Sequence, residues 1–213
     1  AYRFPSLSES FYTGLTGRKY VIGNPLLEPE TSWNIDAGLK YGSSNLGIGF
    51  YLFTNRVDNL IERYRNEDNI YTYDNIHRGS LYGGELELLY RPAEKVQLFG
   101  HFFYYHGRSS GTDDALNDLP APRAKIGAKF FIGRLWIETD YLHSFKKTDP
   151  GPAEVANNAY HLLDIKGGMY LNSYFFVYMK ISNLFNETYY ANPDPDIPPA
   201  KGFGISSGLH VYF

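Results

Sequence analysis

One polar segment of the chain concentrates arginine and tyrosine side chains that suit the binding of an anion. Residues 55–78 separate two stretches of alternating apolar residues and are predicted to be a long exposed loop. The candidate ligand-binding residues in it are Arg56, Arg63, Tyr64, Arg65 and Tyr73, with Tyr71 beside them. A guanidinium forms charge-assisted hydrogen bonds to anions, and a tyrosine ring stacks on flat ligands. The segment could therefore bind an anionic metal chelate; the alternative is a solvated loop anchored by lipopolysaccharide or by neighbouring loops.

Two acidic residues near the C-terminus are the best candidates for a metal ion. Asp194 and Asp196 alternate with prolines, and carboxylate oxygens are ligands that Ca²⁺ favours. The rigid proline backbone and the lack of further acidic partners favour a rigid loop instead. No metal site, no cofactor and no catalytic residue is predicted.

Apolar residues alternate with small or polar residues in many segments of the chain. This pattern predicts the β-strands that position the candidate binding residues. In the last segment, Phe203, Ile205, Leu209 and Val211 fall on one face and small or polar residues on the other. Successive side chains of a strand point to opposite faces. The same pattern recurs in residues 33–41, 46–53, 85–90, 124–132, 135–141, 163–169 and 175–182. We predict an all-β antiparallel meander of about ten strands, each close to the length that spans a bilayer when tilted.

Ten charged side chains lie on the face opposite the apolar one. They are Asp36, Lys40, Glu85, Glu87, Lys125, Lys129, Glu138, Asp140, Asp164 and Lys166. In a transmembrane barrel the apolar face meets lipid and the other face lines a polar interior. The mixed sign of these charges suits a lumen that packs against another part of a protein.

Short and long connections alternate along the chain. Tight turns are predicted at 42–45, 91–95, around 133 and at 171–173, and long segments at 55–78, 107–119, 146–158 and 186–201. Outer-membrane barrels have short periplasmic turns and long extracellular loops. Placing Phe213 at the periplasmic end puts every short turn in the periplasm and every long segment outside. The sequence therefore indicates a transmembrane β-barrel of the bacterial outer membrane.

Composition agrees with this class and excludes others. The chain has 213 residues, of which 17% are aromatic, including 20 Tyr and 15 Phe, unlike an average globular protein. It contains no run of about 18 apolar residues that would predict a transmembrane helix. A net charge of −3 gives no reason to expect a nucleic-acid partner. The absence of cysteine excludes a disulfide framework and a cysteine metal site in these residues.

Four motifs carry a resemblance to a known family. They are R-F-P at 3–5, N-P-L-L-E-P-E at 24–30, G-G-E-L-E at 83–87 and I-S-N-L-F-N-E-T-Y-Y at 181–190. Together with the final aromatic residue, Phe213, they resemble the barrel of TonB-dependent outer-membrane receptors. The similarity covers essentially the whole chain, and the motifs occur in the family's order.

The resemblance implies a larger protein than this chain. Such receptors have an N-terminal plug inside a barrel of 22 strands, so residues 1–213 are expected to be a single-domain fragment, the C-terminal portion of the barrel. The ten lumenal charges would face the plug, and Phe213 would be the signal read by the barrel-assembly machinery. The implied partners are the plug and N-terminal strands outside this chain, the TonB complex acting through the plug, outer-membrane lipid and lipopolysaccharide. The implied activity is uptake of a scarce chelated nutrient, without chemistry on it.

The segment between the first two motifs indicates which class of nutrient is expected. Haem receptors of this family resemble one another in a histidine there, but residues 7–23 contain none, and Tyr12 and Tyr20 are the only plausible axial ligands. A ferric siderophore or a cobalamin-like ligand is therefore expected rather than haem.

Two other classes of protein fit part of the pattern. A self-contained small barrel could carry a hydrolase site at its extracellular rim, where His77, His106 and Asp113 or Asp114 are predicted to lie. Such a site needs a histidine–acid pair within hydrogen-bond reach. A soluble β-protein also shows alternation, but its strands are typically five or six residues long.

Overall fold

The computed structural model describes residues 1–17, 19–68 and 70–213. These residues form twelve strands and one short helix, which begins at a capping box between Ser6 and Glu9. In chain order the elements are β1 Tyr2–Arg3, α1 Leu7–Phe11, β2 Thr13–Thr16, β3 Lys19–Ile22, β4 Glu30–Gly42, β5 Leu46–Arg65, β6 Tyr71–Ala93, β7 Val96–Ser109, β8 Arg123–Ile132, β9 Leu135–Ser144, β10 Tyr160–Tyr170, β11 Phe175–Ser182 and β12 Gly204–Val211.

The strands form one sheet with meander topology. Its main path runs β1–β4–β5–β6–β7–β8–β9–β10–β11–β12, and the strands along this path pair antiparallel. Off the path, β2 and β3 form a hairpin, and β3 contacts β6 through a parallel bridge between Val21 and Tyr71. The prediction of an all-β meander of about ten strands is confirmed.

The sheet is open, with β1 and β12 at its two edges. The edge strand β1 covers only Glu30 and Thr31 of β4, so closure into a small barrel would require β12 to pair with the remaining free edge of β4. The structure therefore does not support the alternative of a self-contained small barrel.

The alternation of connections is confirmed in most of the chain. Short turns join β4 to β5, β6 to β7, β8 to β9 and β10 to β11, whereas residues 110–122, 145–159 and 183–203 form long irregular connections. The long connections all lie at one end of the sheet, because consecutive strands of a meander run in opposite directions.

The prediction of a loop at 55–78 is wrong. Strand β5 continues to Arg65 and β6 begins at Tyr71, and the two pair in register from Asp58–Arg78 to Arg65–Tyr71. The turn between them occupies residues 66–70, of which Asn69 lies outside the described residues. Strand pairing satisfies the backbone hydrogen bonds of this segment, and its aromatic and β-branched residues favour strands, so the polar segment continues the hairpin.

Burial distinguishes the two ends of the sheet. Along the strands the apolar face is exposed: Ile126 retains 62% of its surface and Leu39 retains 72%. The buried apolar residues lie toward the end with the long connections; they are Val21, Ile61, Tyr71, Ala115, Leu116, Ala153 and Tyr160. An exposed apolar face along long strands is what a lipid-facing barrel surface requires. None of the described residues belongs to a helix long and apolar enough to cross a membrane.

Candidate functional site

The long connections and the extended hairpin assemble into a compact unit, here called the loop cap. It comprises residues 19–24, 58–78, 110–122, 145–159 and 183–203, apart from Asn69. Its centre is Tyr71, whose side chain is fully buried and packs with Val21 and Ala153. The partly buried Tyr73 packs against the same cluster.

Two arginines of β5 pair with two aspartates of the last long connection. Arg63 Nη2 lies 3.2 Å from Asp194 Oδ2, and Arg65 Nη2 lies 3.0 Å from Asp196 Oδ2. Both guanidinium groups lie over the ring of Tyr71, at 4.5 and 4.8 Å from its centroid. We call these five residues the clamp, because they join segments about 130 residues apart in the sequence.

The two ion pairs of the clamp differ in how deeply they are buried. The Asp194 side chain is fully buried and that of Arg63 retains only 10% exposure. Asp196 is more accessible and also meets Lys19 Nζ at 3.1 Å. A buried charge is tolerated only when it is paired and hydrogen-bonded, so Asp194 depends on the position of Arg63.

Several donors hold Asp196 in its ionised form. Burial pushes the pKa of Asp196 upward, but hydrogen bonds from Lys19 and Tyr71, and the positive charges of Lys19 and Arg65, outweigh it and hold that pKa below its ordinary value. Asp196 therefore remains negative at neutral pH, and the clamp keeps its charge complementarity.

Asn117 links three segments of the loop cap. Its backbone N–H donates to Glu62 Oε1 (2.9 Å), its side-chain Nδ2 donates to the Arg63 carbonyl (2.8 Å), and its Oδ1 accepts from the Ala153 N–H (2.9 Å). Burial raises the pKa of Glu62, and the hydrogen bonds from Asn117 only partly oppose this effect. The adjacent connection is held by a buried ion pair between Lys147 and Glu154, at 2.5 Å.

A cavity lies beside the clamp, between the connections 145–159 and 183–203. Its volume is about 360 Å³, and its lining includes Tyr160, Tyr189, Tyr190 and Asp194. Burial is the main cause that raises the pKa of Tyr189, so its hydroxyl stays protonated and can donate hydrogen bonds at neutral pH.

The predicted ligand-binding residues separate into two groups. Arg63 and Arg65 belong to the clamp, and Tyr73 packs below it. Tyr64 is 39% exposed. Arg56 lies elsewhere: it stands opposite Trp33 in the sheet, on the apolar outward face, and its Nη2 is 3.6 Å from Asp58.

The pairing within the clamp was not predicted, although the sequence contains a signal for it. Arg63 and Arg65 have the same two-residue spacing as Asp194 and Asp196. Residues two apart on a strand project from the same face, so an R-x-R pair on a strand matches a D-x-D pair in a rigid proline segment. The proline segment is a loop, as expected, and the partner of its carboxylates is arginine.

Six of the predicted lumenal charges of the C-terminal strands, together with Lys180, form salt bridges across β8–β11, and this set is here called the lumenal ladder. Its members are Lys125, Lys129, Glu138, Asp140, Asp164, Lys166 and Lys180. Alternation places all of them on the inner face, opposite the exposed apolar one. Each neighbouring pair of strands contributes opposite charges.

Asp140 is the most buried carboxylate of the lumenal ladder. Its side chain retains 6% exposure and meets Lys166 at 2.5 Å and Lys125 at 3.3 Å. Lys166 also reaches Glu138 at 3.1 Å, and Lys129 meets Glu138 at 3.3 Å. The ladder ends on β11, where Lys180 lies 2.9 Å from Asp164.

The other predicted lumenal residues have fewer ionic contacts. Glu85 accepts a hydrogen bond from the Tyr105 hydroxyl at 2.5 Å, and Glu87 accepts one from Tyr51 at 3.4 Å. Lys40 lies over the Tyr51 ring, 5.4 Å from its centroid. Asp36 makes no ion pair within the part of the chain that the structure describes. Phe213 follows β12 and is fully exposed.

Within the described part of the chain, no hydrogen bond or ion pair joins His77 or His106 to Asp113 or Asp114. His106 packs against the Tyr82 ring, while Asp113 and Asp114 offer backbone oxygens to Arg108 and Ser109. Among the described residues no group of three or more His, Cys, Asp or Glu side chains is placed to hold a metal ion.

Comparison with known proteins decides the family. The family described as "TonB dependent receptor-like, beta-barrel" matches residues 1–186. The chain belongs to the TonB-dependent receptor β-barrel family. It is 30% identical over 157 residues to heme/hemopexin utilization protein C of Haemophilus influenzae (strain 86-028NP), a match that covers 62% of this chain and 22% of the relative. It is 28% identical over 160 residues to the iron-regulated outer membrane virulence protein of Vibrio cholerae (O395), covering 68% of this chain and 24% of the relative.

Solved structures agree on the fold. The copper transporter OprC matches with a TM-score of 0.88 and 17% identity, over 100% of this chain and 36% of that one. The siderophore receptor PirA from Acinetobacter baumannii matches with a TM-score of 0.76 and 16% identity, over 100% of this chain and 38% of that one. This TonB-dependent receptor chain therefore spans about a quarter of the curated relatives and over a third of the structures it matches. It is a β-barrel chain of the bacterial outer membrane.

The family motifs of this TonB-dependent receptor have identifiable structural roles. Arg3 of the first motif forms a bidentate ion pair with Glu30 of the second, with both N–O distances at 2.6 Å. The hydrogen bond to Glu30 is the largest effect on the pKa of Arg3 and raises it, although burial acts in the opposite direction. Glu30 also accepts the Ile61 N–H at 2.8 Å, so the two motifs fix the N-terminal segment to β5.

The other two motifs act on backbone geometry. Gly83 lies where a Cβ atom would come 2.7 Å from the Phe53 ring, so only glycine allows this close packing. Asn183 has a φ of 51° and is buried. Its amide donates to the Glu187 carbonyl (2.8 Å), and its N–H donates to Asp164 (2.9 Å). This turn ties the last long connection to the lumenal ladder.

Proposed function

We propose that this TonB-dependent receptor chain is the C-terminal part of a barrel that takes up a chelated nutrient, a ferric siderophore or a cobalamin-like ligand, with energy supplied through TonB. The observation that carries the proposal is the loop cap, a folded unit in which Tyr160, Tyr189 and Tyr190 line a cavity. The two arginines of the clamp lie beside it, paired with Asp194 and Asp196. Such a cavity offers shape and tyrosine hydroxyls to a ligand, and an anionic chelate that competes with the clamp carboxylates would gain charge-assisted hydrogen bonds from an arginine. The relatives named for iron regulation and the receptor neighbours support the same class of cargo.

The proposed orientation places the loop cap outside the cell. Outer-membrane barrels have long extracellular loops and short periplasmic turns, and the long connections of this chain share one end of the sheet. A ligand arriving from the medium would then meet the loop cap first.

The open sheet supports the proposal that the chain works inside a larger barrel. Unpaired strand edges are not tolerated in lipid, so the free edge of β4 beyond Thr31 and that of β12 would pair with the N-terminal strands of a barrel of 22 strands. The plug then occupies the lumen beside the lumenal ladder. Asp36, Lys40, Glu85 and Glu87 are the inner-face charges with the fewest ionic contacts, and they are the proposed contacts of the plug.

Among the predicted ligand-binding residues, Tyr64 is the proposed direct contact, because it is exposed in the loop cap. Arg63 and Arg65 are paired with Asp194 and Asp196, so an anionic ligand reaches them only by competing with those carboxylates. Tyr73 supports them from the buried cluster.

The outward position of Arg56 suits a different partner. Arg56 and Arg78 share the carboxylate of Asp58 on the outer face. The excess positive charge there favours a phosphate of lipopolysaccharide over a ligand in the lumen.

The test is ligand binding by the full-length receptor in detergent. Quenching of tryptophan fluorescence with ferric catecholate and hydroxamate siderophores, cobalamin and haemin should reveal tight binding of one of the first three classes. Tyr64→Ala and Tyr189→Ala should weaken that binding by at least about tenfold, and the control Arg56→Ala, on the outer face, should leave it unchanged. Transport should be lost in a strain that lacks TonB. Absence of binding by all chelates, or uptake that is independent of TonB, would contradict the proposal.

Haem is the second candidate, because one relative is named for heme and hemopexin utilization. The interval 7–23 offers Tyr12 and Tyr20. The Tyr12 hydroxyl donates to the Leu15 carbonyl at 2.8 Å, whereas Tyr20 is 40% exposed. Haemin binding that shifts the Soret band and is abolished by Tyr20→Phe would favour haem over the chelates.

A further inference from the structure

Two histidines face each other on the outward surface of the barrel, close to the loop cap. His143 of β9 and His161 of β10 are direct cross-strand partners. Alternation from Asp140 and Asp164, both on the inner face, places these histidines on the opposite face, together with Tyr141. Both strands reach the loop-cap end of the sheet there, since β9 ends at Ser144 and β10 begins at Tyr160. The pair therefore lies at the loop-cap end of the sheet, where His161 is exposed.

Two further donor atoms lie close to Nδ1 of His161. The Nδ1 atoms of His143 and His161 are 3.1 Å apart, and the Tyr141 hydroxyl lies 2.7 Å from His161 Nδ1. A neutral imidazole nitrogen carries one hydrogen or one lone pair, so His161 Nδ1 cannot make a full hydrogen bond with both neighbours. A cation between the two Nδ1 atoms would interact with both imidazoles, and the Tyr141 hydroxyl is close enough to His161 Nδ1 to become a third donor.

The spacing matches the coordination of a transition-metal ion. With metal–nitrogen bonds of about 2.05 Å, two ligands of a tetrahedral site lie about 3.3 Å apart, and two adjacent ligands of a square site lie about 2.9 Å apart. The observed 3.1 Å falls between these values. The rings are also held in place by aromatic neighbours, because His143 packs edge-on against Phe145 at 4.4 Å and Tyr141 stacks on His161.

From these observations we infer that His143 and His161, with Tyr141 as a third donor, bind a divalent transition-metal ion on the outer surface of the receptor. Imidazole ligands suit Cu²⁺, Zn²⁺ and Ni²⁺, and Cu²⁺ is bound most strongly in the order of divalent metals. The site is outside the lumen and is separate from the cavity of the loop cap. Its metal is therefore not cargo in the transport path.

The experiment uses the full-length receptor in detergent and Cu²⁺ as the probe. Titration followed by electron paramagnetic resonance should show one bound Cu²⁺ with hyperfine splitting from two nitrogens. His143→Ala and His161→Ala should each weaken this binding by at least about tenfold and remove the two-nitrogen signal. Tyr141→Phe, which keeps the ring, should have a smaller effect.

The matched control is His106→Ala, because His106 also lies near the rim but packs against Tyr82 without a second histidine. Circular dichroism of each variant should confirm a folded barrel, which is expected because His161 is exposed on the surface. The inference is overturned if the wild type gives no two-nitrogen signal, or if that signal survives in both histidine variants. Loss of the signal in His106→Ala alone would also overturn it.

Discussion

The loop cap and the membrane-spanning strands of this TonB-dependent receptor chain place charge in different surroundings. In the loop cap, apolar residues and ion pairs are buried together, and the Asp194 side chain has no exposed surface. In the strands, apolar residues face outward and the lysines of the lumenal ladder stay 25–39% exposed on the inner face. The loop cap is thus organised like a small soluble domain, and the strands like a wall between lipid and a polar lumen.

Buried ion pairs in the loop cap are expected to stabilise the fold, whereas exposed pairs on the surface are expected to contribute little. Removing one partner of a buried ion pair costs about 3–5 kcal/mol, because the other charge remains buried without compensation. Exposed pairs contribute about 0–1 kcal/mol. Arg63, which the sequence suggested as a ligand contact, falls in the first group. Its guanidinium, which suits an anionic ligand, is directed at a carboxylate of its own chain.

Asp194→Ala should have the largest effect. It leaves Arg63 buried without its partner, so the loop cap should lose about 3–5 kcal/mol. Limited proteolysis of the full-length receptor should then cleave the connection 183–203 far faster, while the barrel stays folded by circular dichroism.

The double variant Arg63→Met, Asp194→Leu is the matched control for this prediction. It replaces the buried pair by apolar side chains, so it should lose less stability than Asp194→Ala, although the Asp196 N–H loses its acceptor, Asp194 Oδ1. Equal cleavage rates for wild type and Asp194→Ala would show that the clamp does not hold the loop cap.

Asp140→Ala should have an intermediate effect. It removes the carboxylate shared by Lys125 and Lys166, and a hydrogen bond to a charged group contributes about 1.5–3 kcal/mol. Lys166 keeps Glu138, which limits the loss. Urea unfolding of the receptor in detergent would measure it. Asp36→Ala, on the same inner face, should change stability less, and a larger effect at Asp36 would reverse this ranking.

Acidification should loosen the loop cap at Asp196. Because the folded-state pKa of Asp196 is depressed, its stabilising contribution is present above the unfolded value of about 3.9. That contribution is lost as the pH falls through the folded-state pKa. Proteolysis by an acid-tolerant protease should therefore accelerate below about pH 4. The acceleration should be smaller in Asp196→Asn, and an identical pH profile in that variant would contradict the assignment.

Glu62 should respond to pH in the opposite direction. Its folded-state pKa is raised, so protonation favours the folded loop cap, and stability is lost as the pH rises through that pKa. Glu62→Gln, which keeps the acceptor for Asn117 without the charge, should stabilise the loop cap slightly at neutral pH. Thermal unfolding followed by circular dichroism would measure the shift.

The smallest effect is expected at Asp58 on the outer face. Its pairs with Arg56 and Arg78 are exposed, and exposed pairs often contribute nothing measurable. Asp58→Asn should leave unfolding in urea and cleavage of the loop cap unchanged. If Asp58→Asn lost as much stability as Asp140→Ala, exposed ion pairs would stabilise this protein as much as buried ones, contrary to the prediction.

The strands could be predicted because their apolar residues recur at every second position. A repeat of two residues with an exposed apolar face fixed segments such as 124–132 and 135–141, and the short turns between them followed. Alternation also predicted that Glu138 and Asp140 share one face, and both side chains meet Lys166 there. The family motifs then identified which kind of barrel carries them.

The loop cap was harder to predict because its contacts are long-range. Polar residues at 55–78 indicated a loop, yet strand pairing continued to Arg65. The partners of Arg63 and Arg65 lie about 130 residues away, and only the matching spacing of two arginines and two aspartates hinted at them. For Asn117, which joins three segments, no sequence pattern pointed to its role.

Labelling of single cysteines on intact cells tests the central claim most directly, namely that the loop cap is extracellular and the short turns are periplasmic. Asn158→Cys lies on an exposed part of the loop cap, and Ser44→Cys lies in the turn between β4 and β5. A membrane-impermeant maleimide should label the cysteine at position 158 on intact cells, and the one at position 44 only after the outer membrane is permeabilised. Labelling of position 44 on intact cells, with position 158 protected, would contradict the account.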